Sequence, residues 1–95
     1  MNINDLLSDE DIEECIDGSS DIGMIREIIT LSQNDEFVDV ESFADVFSYK
    51  ISGFIDTEEG TEEWIEANEN NWAWGFSIAE NINNLLMQGN RNDVT

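Results

Sequence analysis

The chain has no proline, no histidine and very few basic side chains. Its 95 residues include 3 Lys and Arg against 23 Asp and Glu, which gives a formal net charge of −20. Nucleic-acid binding depends on cationic side chains that displace counterions from phosphates, so this charge excludes direct binding to DNA or RNA. Anionic membrane surfaces repel such a chain for the same reason. The absence of histidine also removes the side chain that most often acts as a general base.

Cysteine and long apolar runs are also scarce. No uninterrupted apolar run exceeds three residues, far short of the ~20 needed to cross a bilayer. Cys15 is the single cysteine, which excludes an intrachain disulfide and a multi-cysteine zinc site. Neighbouring acids raise the pKa of a thiol, so we interpret Cys15 as a small buried hydrophobic residue. The first residues lack the basic start and apolar stretch of a signal peptide, and we expect a cytoplasmic location.

Length and composition predict one small folded domain. A chain of 95 residues buries ~60–65% of its unfolded surface, enough for one core but not for a core and a deep substrate cavity. The apolar fraction is 40%, well above that of an acidic disordered tail. We therefore expect residues 1–95 to form a single acidic domain with loose termini at about 1–4 and 90–95. The sequence predicts no enzymatic activity and no cofactor.

Apolar spacing predicts an all-α fold, a small bundle of about five short helices. Ser8 and Asp11 have the spacing of a capping box, which would start the first helix. Isoleucines three or four residues apart indicate a second helix that reaches Ser32. The other three helices follow from an apolar stripe over residues 40–54, from cap signals that start a short helix over about 61–69, and from a second stripe over residues 72–86.

Two segments also fit a strand pattern. Residues 46–52 and 72–78 alternate apolar and polar side chains, as a half-buried strand does. The helical spacing extends over a longer stretch in both segments, and we therefore favour helix. The alternative is an α+β fold with a small sheet built from about 46–52 and 72–78.

The acidic residues are concentrated in the first 69 residues. Residues 1–69 hold 21 acids and 2 bases, whereas residues 70–95 hold 2 acids and 1 base. Charge kept for solubility in a small domain has a magnitude of ~2–8, and a larger excess destabilises the fold by self-repulsion. The excess therefore indicates a function for the negative field itself. The near-neutral segment 70–89 is expected to form the core and the seam of any homodimer.

Two chemical uses of carboxylates fit the sequence poorly. A calcium-binding EF-hand loop needs acids at its first, third and fifth positions, Gly at its sixth and Glu at its twelfth. With Gly60 at the sixth position, Ile55 occupies the first, and a register on Gly18 puts Cys15 at the third. A catalytic carboxylate pair needs a cleft that raises one pKa, which exposed helical acids would lack. We therefore assign no catalytic residue and no metal ligand.

The size and charge of the chain match a short length of duplex DNA. Duplex DNA carries one negative charge per ~1.7 Å of axis, so about 20 charges correspond to roughly 34 Å of duplex. A compact domain of this length has a diameter of about 30 Å. Size, charge and the scarcity of cations resemble the small phage-encoded DNA-mimic inhibitors, the anti-CRISPR and antirestriction proteins. The resemblance covers the whole chain as a charge pattern without a motif, and the first six residues are similar to the start of one anti-CRISPR protein.

The resemblance implies that an acidic surface occludes the basic nucleic-acid groove of a host defence enzyme, a CRISPR effector or a restriction enzyme, in the bacterial cytoplasm. The alternative is an immunity protein or antitoxin that neutralises a basic nuclease toxin with tryptophan anchors, and a protein-only regulator is a third class. On a helix, acids three and four residues apart would line one face at about 5–6 Å; they are Glu59, Glu62, Glu63, Glu66 and Glu69. We expect Trp72 in the core and Trp64 partly exposed. The expected partner-binding residues are Asp9, Glu10, Asp11, Glu13, Glu14, Glu58, Glu59, Glu62, Glu63, Trp64, Glu66 and Glu69.

Overall fold

Four α-helices and one short hairpin form the described part of the chain. The computed structural model describes residues 3–16 and 21–94, with side chains through residue 88. In chain order the elements are a 3₁₀ turn Ile3–Leu6, α1 Asp9–Ile16, α2 Ile22–Ser32, β1 Gln33–Asn34, β2 Phe37–Val38, α3 Val40–Ile51, a second 3₁₀ turn Ser52–Phe54 and α4 Glu62–Val94.

Each α-helix begins where a short polar side chain accepts a hydrogen bond from an amide of the first turn. Ser8 Oγ accepts from the Asp11 amide at 3.1 Å, and the Asp11 carboxylate accepts from the Ser8 amide at 3.1 Å. This reciprocal pair confirms the predicted capping box. Asp21, Asp39 and Thr61 accept from amides two or three residues later at the starts of α2, α3 and α4.

A short hairpin connects α2 with α3. Gln33 pairs with Val38 in antiparallel register, and Asp35 takes the left-handed backbone conformation of the turn, with φ at 52°. The side-chain amide of Asn83 on α4 bonds to both polar groups of the Val38 backbone. It accepts from the Val38 N–H at 2.9 Å and donates to the Val38 carbonyl at 3.0 Å. The hairpin is therefore fixed to α4.

The α+β alternative is right that a small sheet is present, but it places the strands wrongly. The strands are Gln33–Asn34 and Phe37–Val38, whereas residues 46–52 and 72–78 are helical. Residues 46–51 form a helix although their side chains also alternate, because the 3.6-residue period lets α3 bury one continuous face. Phe47 lies in that face and is fully buried.

The fourth and fifth predicted helices form one continuous helix, so the described residues contain four α-helices rather than five. α4 continues through the predicted break at residues 70–71 because its inward face keeps one period across it. Ala67, Asn71 and Trp74 line a groove against α2 and α3, and Ile78 continues the same spacing into the core. The 33 residues of α4 span about 50 Å. The long axis of the molecule measures 52 Å, so the expected diameter of about 30 Å is wrong.

The core forms where α3 packs against α4. The Phe47 ring stacks 6.3 Å from that of Phe43 and meets the Trp74 ring edge-on at 5.1 Å between centroids. A Cβ atom at Gly75 would lie 2.8 Å from Phe47 Cδ1, so the two helices approach each other through the glycine. The buried apolar side chains are Ile3, Leu7, Ile12, Cys15, Ile16, Ile25, Ile28, Ile29, Val38, Phe43, Ala44, Phe47, Ile78, Ala79, Ile82 and Leu86.

One arginine anchors the N-terminal segment. Arg26 on α2 pairs with the Asp9 carboxylate at 2.7 Å and donates to the carbonyls of Asn4 and Leu7 at 3.0 Å each. Ile3 is 0% exposed and belongs to the core. The prediction of a loose terminus is therefore wrong for Ile3 and Asn4, whose order follows from a buried side chain and from Arg26. In the second segment predicted to be loose, the backbone of residues 90–94 belongs to α4, whereas residues 1, 2 and 95 lie outside the described residues.

Replacing Gly75 by Ala tests the contact between α3 and α4. We expect Gly75→Ala to lower the free energy of unfolding by about 1–3 kcal/mol, because the new methyl group overlaps the Phe47 side chain. The loss should occur although Ala favours a helix over Gly by ~1 kcal/mol. Urea denaturation followed by tryptophan fluorescence measures it.

Gly53→Ala is the matched control, since nothing lies within 4 Å of a Cβ atom added at Gly53. We expect it to change the free energy of unfolding by less than about 0.5 kcal/mol. Equal stability of the two variants would contradict the close approach of α3 and α4 at Gly75.

Candidate acidic interaction surface

Most of the negative charge has no cationic partner within the chain. Among the described side chains, the ion pairs are Arg26 with Asp9 at 2.7 Å and Lys50 with Glu27 at 3.3 Å. Both cations are thus occupied, and every other described carboxylate lacks an ion-pair partner within that part of the chain. The surface therefore presents an uncompensated negative field.

In the first predicted acidic stretch, two acids bond to other groups of the described chain and three do not. Asp9 is engaged by Arg26, and the Asp11 carboxylate closes the capping box with Ser8. Both residues therefore have a local role in addition to the predicted partner contact, although the Asp9 side chain stays 73% exposed. The three remaining acids are exposed and form what we call the α1 patch, which consists of Glu10, Glu13 and Glu14.

In the second predicted stretch, all six of the predicted glutamates are exposed. We call this set the α4 patch, and it consists of Glu58, Glu59, Glu62, Glu63, Glu66 and Glu69. Glu59 lies in the turn before α4, where Gly60 has a φ of 92°, so its placement on the helix face is wrong. Thr61 ends this turn by donating its hydroxyl to the Glu58 carbonyl at 2.8 Å. The helix starts after Thr61, and the regular spacing holds for Glu62, Glu66 and Glu69.

The two patches lie at different levels of α4. Glu14 lines a shallow depression with Asn81 and Gln88, in the C-terminal half of the helix. Asn81 donates to the Cys15 carbonyl at 3.2 Å, which holds the end of α1 at this level. Asn81 lies 15 residues beyond Glu66, or about 22 Å along the helix axis. The structure therefore presents two patches along α4 instead of one acidic cluster.

An apolar groove adjoins the α4 patch. It has a volume of about 750 Å³ and lies between the first half of α4, the segment after α3 and the start of α2. Phe54 was predicted to extend the apolar face of the third helix, but α3 ends at Ile51 and Phe54 is 83% exposed. The lining residues are Asp21, Met24, Ile51, Phe54, Ile55, Asp56, Thr57, Glu63, Ala67, Asn71 and Trp74.

Sequence reasoning missed this groove because it arises from the continuity of α4. With a break at residues 70–71, Trp74 and Glu63 would belong to different helices. In the structure they lie on one helix and line the same groove. A second groove of about 810 Å³ lies between the Ile3–Leu6 turn, the hairpin and Leu86, at the opposite part of α4.

The tryptophans and the expected dimer seam are mostly engaged within the chain. Trp64 is half-buried, which confirms its predicted partial exposure. Trp72 is also half-buried instead of fully packed in the core, and its indole donates to Asp45 at 2.7 Å. In segment 70–89, Ile82 and Leu86 are buried in the chain's own core, as predicted. A homodimer through this segment stays a prediction.

Cys15 has the buried, unreactive environment that the sequence indicates. Burial, together with the nearby charges of Asp11 and Glu14, raises the pKa of the Cys15 thiol to about 11. The thiol is therefore neutral at physiological pH. Within the described residues, no group of three or more His, Cys, Asp or Glu side chains is arranged to hold a metal ion. No helix in that part of the chain is both long and apolar enough to cross a membrane.

Comparison with known proteins gives no relative from which a function could be transferred. No protein-family model, curated protein or solved structure matches the chain. The features of the molecule that indicate a function are therefore its charge, the two patches and the groove.

Added salt should stabilise the fold. Raising the ionic strength from 0.01 to 0.1 M shortens the Debye length from ~30 to ~10 Å and screens the repulsion between unpaired carboxylates. We expect a gain of about 1 kcal/mol, which raises the Tm of a domain of this size by roughly 4–8 °C. Thermal unfolding in NaCl and in KCl at equal ionic strength separates screening from specific ion effects. An unchanged or lower Tm at 0.1 M would contradict the uncompensated field.

Proposed function

We propose that the protein is an acidic DNA mimic that occludes the basic nucleic-acid groove of a bacterial defence enzyme, in the manner of anti-CRISPR or antirestriction inhibitors. The observation that carries the proposal is that most of the exposed carboxylates have no cationic partner in the described part of the chain. Both described cations are committed to Asp9 and Glu27, while the carboxylates of the α1 and α4 patches are exposed and lack ion-pair partners in the described part of the chain. A cationic groove supplies the charge that the chain lacks.

The dimensions of the molecule support an elongated mimic. A duplex of 52 Å, the length of the long axis, carries about 30 negative charges. The net charge of −20 is about two thirds of that value. The field is strong enough to steer the protein toward a basic cleft, and it should therefore accelerate association at low salt.

The α4 patch supplies a repetitive array of anionic groups. Glu62, Glu66 and Glu69 follow one another at four and three residues, which places their Cβ atoms about 5–6 Å apart on one helix face. Such a row can contact Lys and Arg side chains that otherwise bind successive phosphates. Because the helix already fixes the backbone, little backbone entropy is lost when the row is bound, and the cost is confined to ordering the Glu side chains.

The alternative function is that of an immunity protein or antitoxin that neutralises a basic nuclease toxin. One observation favours it, namely the apolar groove beside the α4 patch. Aromatic anchors dominate the affinity of many protein interfaces, and Phe54 and Trp74 line this groove. Both functions require a basic protein partner, and they differ in whether nucleic acid is displaced.

A charge-removal variant tests the mimic. Replacing Glu62, Glu63 and Glu66 by Gln keeps the shape of the helix face and removes three charges. If each desolvated pair contributes about 1 kcal/mol or more, the affinity for the partner should fall by roughly 100-fold. The partner is the enzyme that the native protein retains from host lysate at low salt. Displacement of a fluorescent duplex from that enzyme measures the affinity.

The matched control removes the same number of charges elsewhere. Glu36, Glu41 and Glu80 are exposed and lie outside both patches, so their Gln variant should retain affinity within about threefold. The native protein should displace the duplex, and its affinity should fall steeply with salt. Duplex that stays bound alongside the native protein, or equal affinity of the two triple variants, would overturn the mimic.

A further inference from the structure

We infer that the groove beside the α4 patch docks a basic amphipathic helix of the partner protein, whose apolar side chains enter the groove while flanking Lys or Arg side chains pair with its acidic rim. The inference rests on the proposed function, because it names the partner's chemistry at the same surface. It goes further because it requires a specific apolar contact with the partner. A surface that only imitates a phosphate backbone would not provide such a contact.

The floor of the groove is apolar and accessible. Met24, Ile51, Ile55 and Trp74 contribute to it, and Phe54 stands at its edge with 83% of its surface exposed. The volume of about 750 Å³ falls within the range of ~300–1,000 Å³ that is common for binding pockets. An aromatic side chain left in water beside a concave apolar surface is typical of an interaction site.

The rim of the groove carries only negative charge. Asp21, Asp56 and Glu63 are exposed and line the groove, and no cation is among its lining residues. Lys50 directly precedes the lining residue Ile51 in the sequence, but its ammonium group pairs with Glu27. Asp21 caps α2 through one carboxylate oxygen, and its charge stays at the rim.

Charge complementarity selects the occupant. A second copy of the chain would bring another charge of −20 against this rim, and nucleic acid or anionic lipid would be repelled in the same way. A helix with apolar side chains at positions i, i+3 or i+4 and i+7 fits a groove of this kind. Lys and Arg beside those positions reach the rim carboxylates. A basic amphipathic helix therefore satisfies both the floor and the rim.

A synthetic peptide tests the groove without the unidentified partner. The probe is a 14-residue helical peptide with three Leu on one face and Lys or Arg at most other positions. A control peptide keeps its length and charge but replaces each Leu by Ser. We expect the Leu peptide to bind the native protein at least tenfold more tightly in isothermal titration calorimetry, and the difference to persist at 0.3 M NaCl.

Two exposed aromatic residues give a matched pair of variants. Phe54 lines the groove, whereas Tyr49 is 81% exposed and is not among the lining residues. Because both side chains are already in water, Phe54→Ser and Tyr49→Ser should fold as the native protein does, which their Tm values confirm. Phe54→Ser should weaken binding of the Leu peptide at least tenfold, and Tyr49→Ser should change it less than twofold.

Equal binding of the Leu and Ser peptides, or of the Phe54→Ser and Tyr49→Ser variants, would overturn the inference. Self-association that sedimentation detects and that Phe54→Ser abolishes would also overturn it, because the occupant would then be a second copy. Phe54→Ser retains every carboxylate of the α4 patch, whereas the Gln variant retains the groove floor and two of its three rim acids, Asp21 and Asp56. Failure of the groove and failure of the mimic are therefore distinguishable.

Discussion

The fold depends on the contact between α3 and α4, where Phe47 packs against the backbone of Gly75. This contact sets the distance between the two helices, and the Trp74 ring packs edge-on against the Phe47 ring. α1, α2 and the hairpin then pack around it, and Asn83 and Arg26 fix the hairpin and the N-terminal segment by hydrogen bonds. Apolar packing and polar anchoring thus hold the chain together, and the acids that contribute are those in helix caps and in the pairs with Arg26 and Lys50.

The exposed acids of the α1 and α4 patches act against this packing. Like charges at three- and four-residue spacing destabilise a helix by a few tenths of a kcal/mol per pair, and the α4 patch contains several such pairs. Acids near a helix C-terminus face the negative end of the helix dipole, which applies to Glu13 and Glu14 in α1. A surface that destabilises the fold and is nevertheless extensive is best explained by a partner that neutralises it. In the proposed complex, the groove would add an apolar contact that makes such a partner specific.

Local signals in the sequence predicted the local structure well. The capping box at Ser8 is confirmed, as are the burial of Cys15 and the core role of Ile82 and Leu86. The continuity of α4 was missed because a helix of this length depends on tertiary contacts, which outweigh the weak local preferences of residues 70–71. The groove and the hydrogen bonds of Arg26 and Asn83 were missed for a related reason. Each of them brings together residues that are far apart in the chain.

The most direct test of the account is the stability of a variant that loses four acids outside the first turn of their helices. Replacing Glu13, Glu14, Glu66 and Glu69 by Gln keeps helix propensity and removes only charge. At 0.01 M salt, urea denaturation should show a free energy of unfolding about 1–2 kcal/mol above that of the native protein, because repulsion and unfavourable dipole contacts are relieved. A decrease of more than about 1 kcal/mol would show that these acids hold the fold together and would contradict the claim that they serve a partner.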